Sequence, residues 1–178
     1  MTNNPSLTPP TTTMATERVV GMSPLFEAPY GLRPRVHILY QRVRETSMVP
    51  TYAKGQDLSN GVDLFADAAR IIYPGETVIV PTGIKVSMPL GWGLFILPRS
   101  GVSLKTGLRI TNAPGLIDHR YLDEIGIIIQ NTGNREFEVC PGDRLAQAVA
   151  METPLMVFTE ADVFDVESRG GGFGSSGI

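Results

Sequence analysis

The chain has 178 residues, 42% of them hydrophobic, and a net charge of -3 from 15 Lys+Arg and 18 Asp+Glu. That composition accommodates one globular domain with a sizeable core and excludes the basic footprint of a general nucleic-acid binder, so no stable nucleic-acid partner is expected. One cysteine (Cys140) and two histidines exclude an internal disulfide framework and a Cys/His zinc site.

No apolar run approaches the roughly 20 residues of a membrane helix, and the N-terminus lacks a signal-peptide pattern. The expectation is a soluble protein of a reducing compartment with no membrane partner: the cytoplasm, or the nucleus in a eukaryotic or viral setting.

Residues 1–30 are rich in Thr, Pro, Asn and Ser without periodicity and read as a flexible leader. Arg33, Arg35, Arg42 and Arg44 surround an alternation of Val36, Ile38 and Tyr40, the pattern of the wet face of a strand. Short β-branched and apolar segments follow (VHILY, TVIV, GIKVSM, GLFIL, EIGIII, FEV), separated by turn-forming PGE, PTG, PLGWG, PRSG, NTGN and PGDR. RLAQAVAM fits a helix by propensity and a strand by its position after a PGD turn. The rhythm predicts an all-β sandwich or jelly roll of antiparallel strands.

Five stretches carry more chemistry than chain reversal requires. In NGVDLFADA, Asp63 opens a strand, where it either orients a metal-bound water or hydrogen-bonds the turn backbone. In PRSGVSLKTGL, proline and glycine bracket Arg99 and Ser100, so a guanidinium, a hydroxyl and turn N–H groups can converge on an oxyanion; a hairpin turn with a solvated arginine explains the same residues. In ITNAPGLIDHRYLDEIGIIIQN, Thr111 to Gly115 form a hairpin tip, and Asp118, beside Ile117, is placed as a partly desolvated carboxylate suited to take a proton from water. A turn cap is the plain alternative for Asp118, and Asp123 and Glu124 compete for any carboxylate role. PGDRLAQAV offers Arg144 and Gln147 after a turn, equally explained by a salt bridge near Asp143. The closing RGGGFGSSGI lacks the lysine of a P-loop, yet its glycines, Arg169, Ser175 and Ser176 suit phosphate oxygens and Phe173 suits a base; a frayed tail is the plain alternative.

In this order the five stretches resemble the five motifs of the trimeric dUTP pyrophosphatase (dUTPase) family, over roughly Val36 to the C-terminus. The resemblance implies a jelly-roll-like β-barrel over residues 31–165, assembled as a homotrimer, with residues 166–178 as a glycine-rich arm closing a neighbouring subunit's site. It implies hydrolysis of dUTP to dUMP and pyrophosphate, limiting uracil in DNA and supplying dUMP for dTMP synthesis. Asp118 matches the general base that activates a water for in-line attack on the α-phosphorus. Tyr121 matches the aromatic residue that packs on the deoxyribose and excludes a 2'-hydroxyl. Asn112 and Gly115 match the uracil reader. Arg99, Ser100, Gly101 and Gln147 match phosphate-facing positions, and Arg169, Phe173, Gly174, Ser175 and Ser176 match the closing arm. The implied cofactor is Mg2+, held mainly by triphosphate oxygens and waters, with Asp63 in its outer shell through water.

Where the family commonly has Tyr-Arg-Gly-Glu, this chain has Tyr121-Leu122-Asp123-Glu124, and Asp123 reads as a surface change. A dCTP deaminase has a similar fold, but Gly101 and Leu104 stand where its phosphate motif needs a second serine and an arginine. A non-catalytic nucleotide-sensing module is the rival of a different class.

Overall fold

A computed structural model describes residues 35–55, 58–163, 166–168 and 170. The expected leader, and Arg169, Phe173, Gly174, Ser175 and Ser176 of the expected arm, lie outside the described residues. The described chain is nearly all β. Its elements are β1 (Leu39–Arg42), β2 (Val62–Phe65), β3 (Arg70–Ile72), β4 (Thr77–Ser87), β5 (Trp92–Pro98), a short helix α1 (Ser100–Lys105), β6 (Leu108–Ile110), β7 (Gly115–Ile117), β8 (Glu124–Asn131), β9 (Phe137–Val139) and β10 (Arg144–Glu152).

Every strand pair is antiparallel. One sheet runs β1-β4-β8-β6, a second β2-β10-β5-β7, and β3 pairs with β9 in a small third. The sheets stay separate instead of closing into a continuous barrel, giving a sandwich of jelly-roll character. The core lies between them because alternate residues point inward. Along β8, Ile125, Ile127 and Ile129 are fully buried between half-buried neighbours; Val78, Val80, Ile84 and Val86 of β4 and Leu94 and Ile96 of β5 join them. Asn131, also buried, donates to the Ile72 and Arg135 carbonyls and accepts from the Gly133 N–H, so its amide carries no unmet polar group.

The fold settles two segments that the local reading left open and corrects a third. RLAQAVAM is the strand β10, at the centre of its sheet between β2 and β5, where buried Ala146 and Ala148 let the sheets approach; tertiary pairing overrides helix propensity. TVIV and GIKVSM are not separated by a turn: they are the two ends of β4, and PTG between them is an irregularity where the register to β8 shifts between Pro81 and Lys85. PRSG leads into α1 and not into a hairpin, with Arg99 in extended conformation at its N-cap. Among the described residues no helix is long and apolar enough to cross a membrane.

Candidate functional site

Asp63 sits in β2 with its backbone N–H bonded to the Thr51 carbonyl at 2.7 Å, and its side chain is 7% exposed. A carboxylate so buried needs charged partners. Arg99 Nε donates to Asp63 Oδ1 at 2.7 Å, and Arg144 Nη1 donates to Asp63 Oδ2 at 3.3 Å. A second nitrogen of Arg99 donates to the Arg144 carbonyl at 2.7 Å. One acid therefore fixes two guanidinium groups, and the local balance is one net positive charge. Neither role open to Asp63 in the sequence, a metal-bound water or the turn backbone, is what its side chain does here: it holds two arginines. Asp143, expected to pair near Arg144, instead accepts from the Cys140 N–H at 2.8 Å and closes the PGD turn.

Beside this triad opens a groove of about 440 Å³. Asp63 of β2, Leu97 and Arg99 at the end of β5, Ser100 and Gly101 at the start of α1, and Gln147 of β10 line it, with Lys54 and Asn60 from the loop before β2. The register explains the convergence: Gln147 of β10 stands opposite Asp63 on one side and Leu97 on the other. Its amide donates to the Pro98 carbonyl at 2.9 Å. The groove thus gathers Arg99, Ser100, Gly101, Gln147 and Asp63 from three separate stretches, and its side chains supply cationic and hydroxyl donors suited to an anion. Lys54 is an addition the sequence did not disclose, since nothing in TYAKGQD marks it.

The long hairpin makes a second cluster. Asn112 and Gly115 come together at its tip: a side chain at Gly115 would reach within 3.1 Å of the Asn112 amide nitrogen. Beyond β7, the Tyr121 N–H bonds the Asp118 carbonyl at 3.1 Å, closing a turn that keeps the two residues adjacent. Tyr121 is 41% exposed, and its hydroxyl donates to the Glu124 carbonyl at 3.0 Å. Asp118 is exposed in the single chain, so the desolvation expected from Ile117 is absent there; the β7 side chains do not cover it.

Asp118 and Arg99 do not meet within one chain. Gly115 pairs with Ile96 and Ile117 with Leu94, so Asp118 continues to the level of Gly93. Arg99 lies six residues further along β5 (93 to 99), a distance of about 20 Å at roughly 3.3 Å per residue. Arg99 and Asp118 stand toward opposite ends of β5.

Among the described residues no three His, Cys, Asp or Glu side chains gather to hold a metal. Each oxygen of Asp63 already accepts from a guanidinium, so this donor set fits a divalent ion that arrives with phosphate oxygens of its own, not one caged by the chain.

Known proteins share much of this sequence and fold. A family model described as dUTPase matches residues 47–177. The chain is 41% identical over 131 residues to the deoxyuridine 5'-triphosphate nucleotidohydrolase of Leifsonia xyli subsp. xyli, covering 72% of this chain and 85% of that protein. It is 39% identical over 146 residues to the protein of the same name from Syntrophotalea carbinolica, covering 80% and 98%. Among solved structures, the dUTPase of Staphylococcus bacteriophage 80alpha with dUpNHpp superposes with a TM-score of 0.73 at 24% identity, over 80% of this chain and 99% of that one. A mutant dUTPase from phage phi11 of S. aureus, described with a structural Mg(II) ion, gives 0.67 at 23% identity, over 73% and 99%.

Proposed function

This chain belongs to the dUTPase family and is a dUTP nucleotidohydrolase, and we propose that it converts dUTP to dUMP and pyrophosphate at a site assembled from more than one copy of the chain. The observation that carries the assembly is the gap of about 20 Å between Arg99 and Asp118 along β5. The phosphorus attacked and the phosphates gripped belong to one triphosphate. A base and a guanidinium that act on the same triphosphate cannot stand that far apart, so they come from different subunits. A homotrimer satisfies this, with residues 166–178 closing a neighbour's site through Arg169, Phe173, Gly174, Ser175 and Ser176.

In this reading Arg99, held in place by Asp63, grips the triphosphate with Ser100, Gly101 and Gln147. Asn112 and the backbone near Gly115 read uracil. Tyr121 packs against the deoxyribose. Asp118 accepts a proton from the attacking water; that oxygen bonds the α-phosphorus while the bridge to the β-phosphate breaks, and pyrophosphate leaves with the electron pair. Magnesium bound with the substrate would be held mainly by triphosphate oxygens and waters and would supply charge neutralisation there, with Asp63 at the border of the groove facing it only through water. Exposed Cys140 suits a reducing compartment, and we assign the protein to the cytoplasm.

Subunit complementation tests this. Arg99→Ala and Asp118→Asn are each expected to fold and to lose turnover by orders of magnitude. When the two variants are unfolded, mixed in equal amounts and refolded together, random assortment pairs an intact Arg99 with an intact Asp118 in about a quarter of the sites if the two residues come from different chains. Recovery of about that fraction of wild-type activity supports the reading. Activity no higher than that of the separate variants overturns it.

A further inference from the structure

We infer that Glu124 is a positioning residue for Tyr121, and so governs discrimination between dUTP and UTP without touching the reacting atoms; this rests on the reading of Tyr121 as the deoxyribose contact. The irregularity in β4 creates the need that Glu124 meets. Pro81 pairs with Gly126 and Lys85 with Glu124, so three residues of β4 oppose only Ile125 of β8. An extra residue in a strand leaves backbone groups without ladder partners, and a buried N–H cannot stay unbonded. Here the deficit is met by side chains. The Glu124 carboxylate accepts from the Gly83 N–H at 2.6 Å, and the Thr82 hydroxyl donates to the Ile125 carbonyl at 2.8 Å.

The anchor that Glu124 reaches is closely packed. Gly83 has φ +70, and a Cβ there would lie 2.2 Å from the Ser47 hydroxyl oxygen and 2.5 Å from the Asp67 carboxyl carbon, so another side chain would be strained and would displace both neighbours. Its carbonyl is bound in turn by the Val43 N–H at 2.8 Å. Arg44 completes the arrangement, pairing with buried Asp67 and approaching Glu124 at 3.7 Å. Arg44, which the sequence places on the wet face of a strand, is a tie between the first segment of the domain and this corner.

Tyr121, by contrast, has little packing of its own. Two hydrogen bonds set it: its N–H to Asp118 and its hydroxyl to the Glu124 carbonyl. The second fixes the outer end of the ring, and it is only as firm as the Glu124 backbone at the very start of β8. Beyond the single ladder pair with Lys85, the carboxylate bound to Gly83 is the second tie at that strand end. Sugar discrimination depends on how closely a ring face approaches C2', so a ring allowed to swing accepts a 2'-hydroxyl it otherwise rejects.

The test compares kcat/KM for dUTP and for UTP in the assembled protein, with thermal unfolding recorded alongside. Glu124→Ala is expected to lower the dUTP:UTP ratio about tenfold, whereas Glu124→Gln, whose amide oxygen still accepts from Gly83, keeps it within about twofold of wild type. If Glu124→Ala does not assemble, Glu124→Asp, one methylene too short to reach Gly83, is expected to lower the ratio in its place. A variant that loses Tm while its ratio stays at the wild-type value overturns the inference and leaves the deoxyribose reading standing. Tyr121→Ala separates the two: if that substitution also leaves the ratio unchanged, the deoxyribose reading fails and the inference falls with it.

Discussion

Asp63→Ala is the perturbation in which stability and activity are coupled through one side chain. In the wild type a carboxylate 7% exposed holds Arg99, 23% exposed, and Arg144, 50% exposed. The Arg144 contact is half in water at 3.3 Å and contributes about 0–1 kcal/mol. The Arg99 contact is short and covered, and removing one partner of such a pair costs about 3–5 kcal/mol. Arg99 borders an open groove and can partly rehydrate, which favours the lower end: about 3 kcal/mol, or a fall in Tm of about 6–12 °C for a chain of this size. Asp63→Asn keeps an oxygen acceptor for Arg99 but loses the charge assistance and sets an NH2 against the half-exposed Arg144, costing about 1–2 kcal/mol. Differential scanning calorimetry should therefore order the proteins wild type, Asn, Ala.

Kinetics provide the sharper check on the same variants. A purely Coulombic view holds that deleting a negative charge beside a phosphate groove strengthens substrate binding and lowers KM. The geometry says the opposite: without Asp63 the guanidinium is no longer aimed, and kcat/KM for dUTP falls by about 10- to 100-fold. A KM below the wild-type value, or an Ala variant that melts within about 2 °C of wild type, would refute the argument that Asp63 acts by holding Arg99.

Other expectations follow from single features of the fold. Ile127→Ala removes a fully buried side chain from the middle of β8 and should cost about 2–5 kcal/mol in denaturant titration, with m unchanged. Gly107→Ala would place a Cβ 2.4 Å from the Gly133 backbone nitrogen, and because backbone cannot rotate aside it should destabilise by about 1–3 kcal/mol. Glu76 caps the PGE turn, accepting from the Tyr73 N–H and from Arg70, and these bonds hold its carboxyl below the usual value of 4.5. A depressed carboxylate contributes stability above its unfolded pKa and loses it as pH falls through the folded one, so acid should erode wild-type stability more than that of Glu76→Gln as pH drops from about 6 to about 3. Parallel acid denaturation curves for the two proteins would count against that assignment.

What the sequence by itself determined is whatever rests on local order along the chain. Alternation of apolar residues and the placement of Gly and Pro specify strands and reversals, because the two-residue period of a strand and the positive φ of a turn are properties of a few consecutive residues. The order of the five motif stretches likewise carried the family, and with it Arg99, Asp118 and Tyr121 as residues to follow. Three local patterns were ambiguous. The alanines of RLAQAVAM suit a helix until β2 and β5 flank them, PTG reads as a turn until β8 pairs with the residues on both sides, and PRSG reads as a hairpin until α1 forms behind it.

Only the tertiary structure decided who meets whom. Asp63 and Arg144 are 81 positions apart, and Gly83 and Glu124 are 41, so no spacing rule couples them. The register of β5 against β7 decided that Arg99 and Asp118 lie toward opposite ends of β5, a fact that motif order cannot contain because it records sequence and not direction in space. The same holds for the competition among Asp118, Asp123 and Glu124. Composition treats them as equivalent acids. Pairing separates them: Asp118 and Asp123 stay exposed, while Glu124 is turned inward to satisfy the N–H that the irregularity in β4 leaves over. Local physics can propose an acid, but its work is assigned by the partner that long-range packing brings to it.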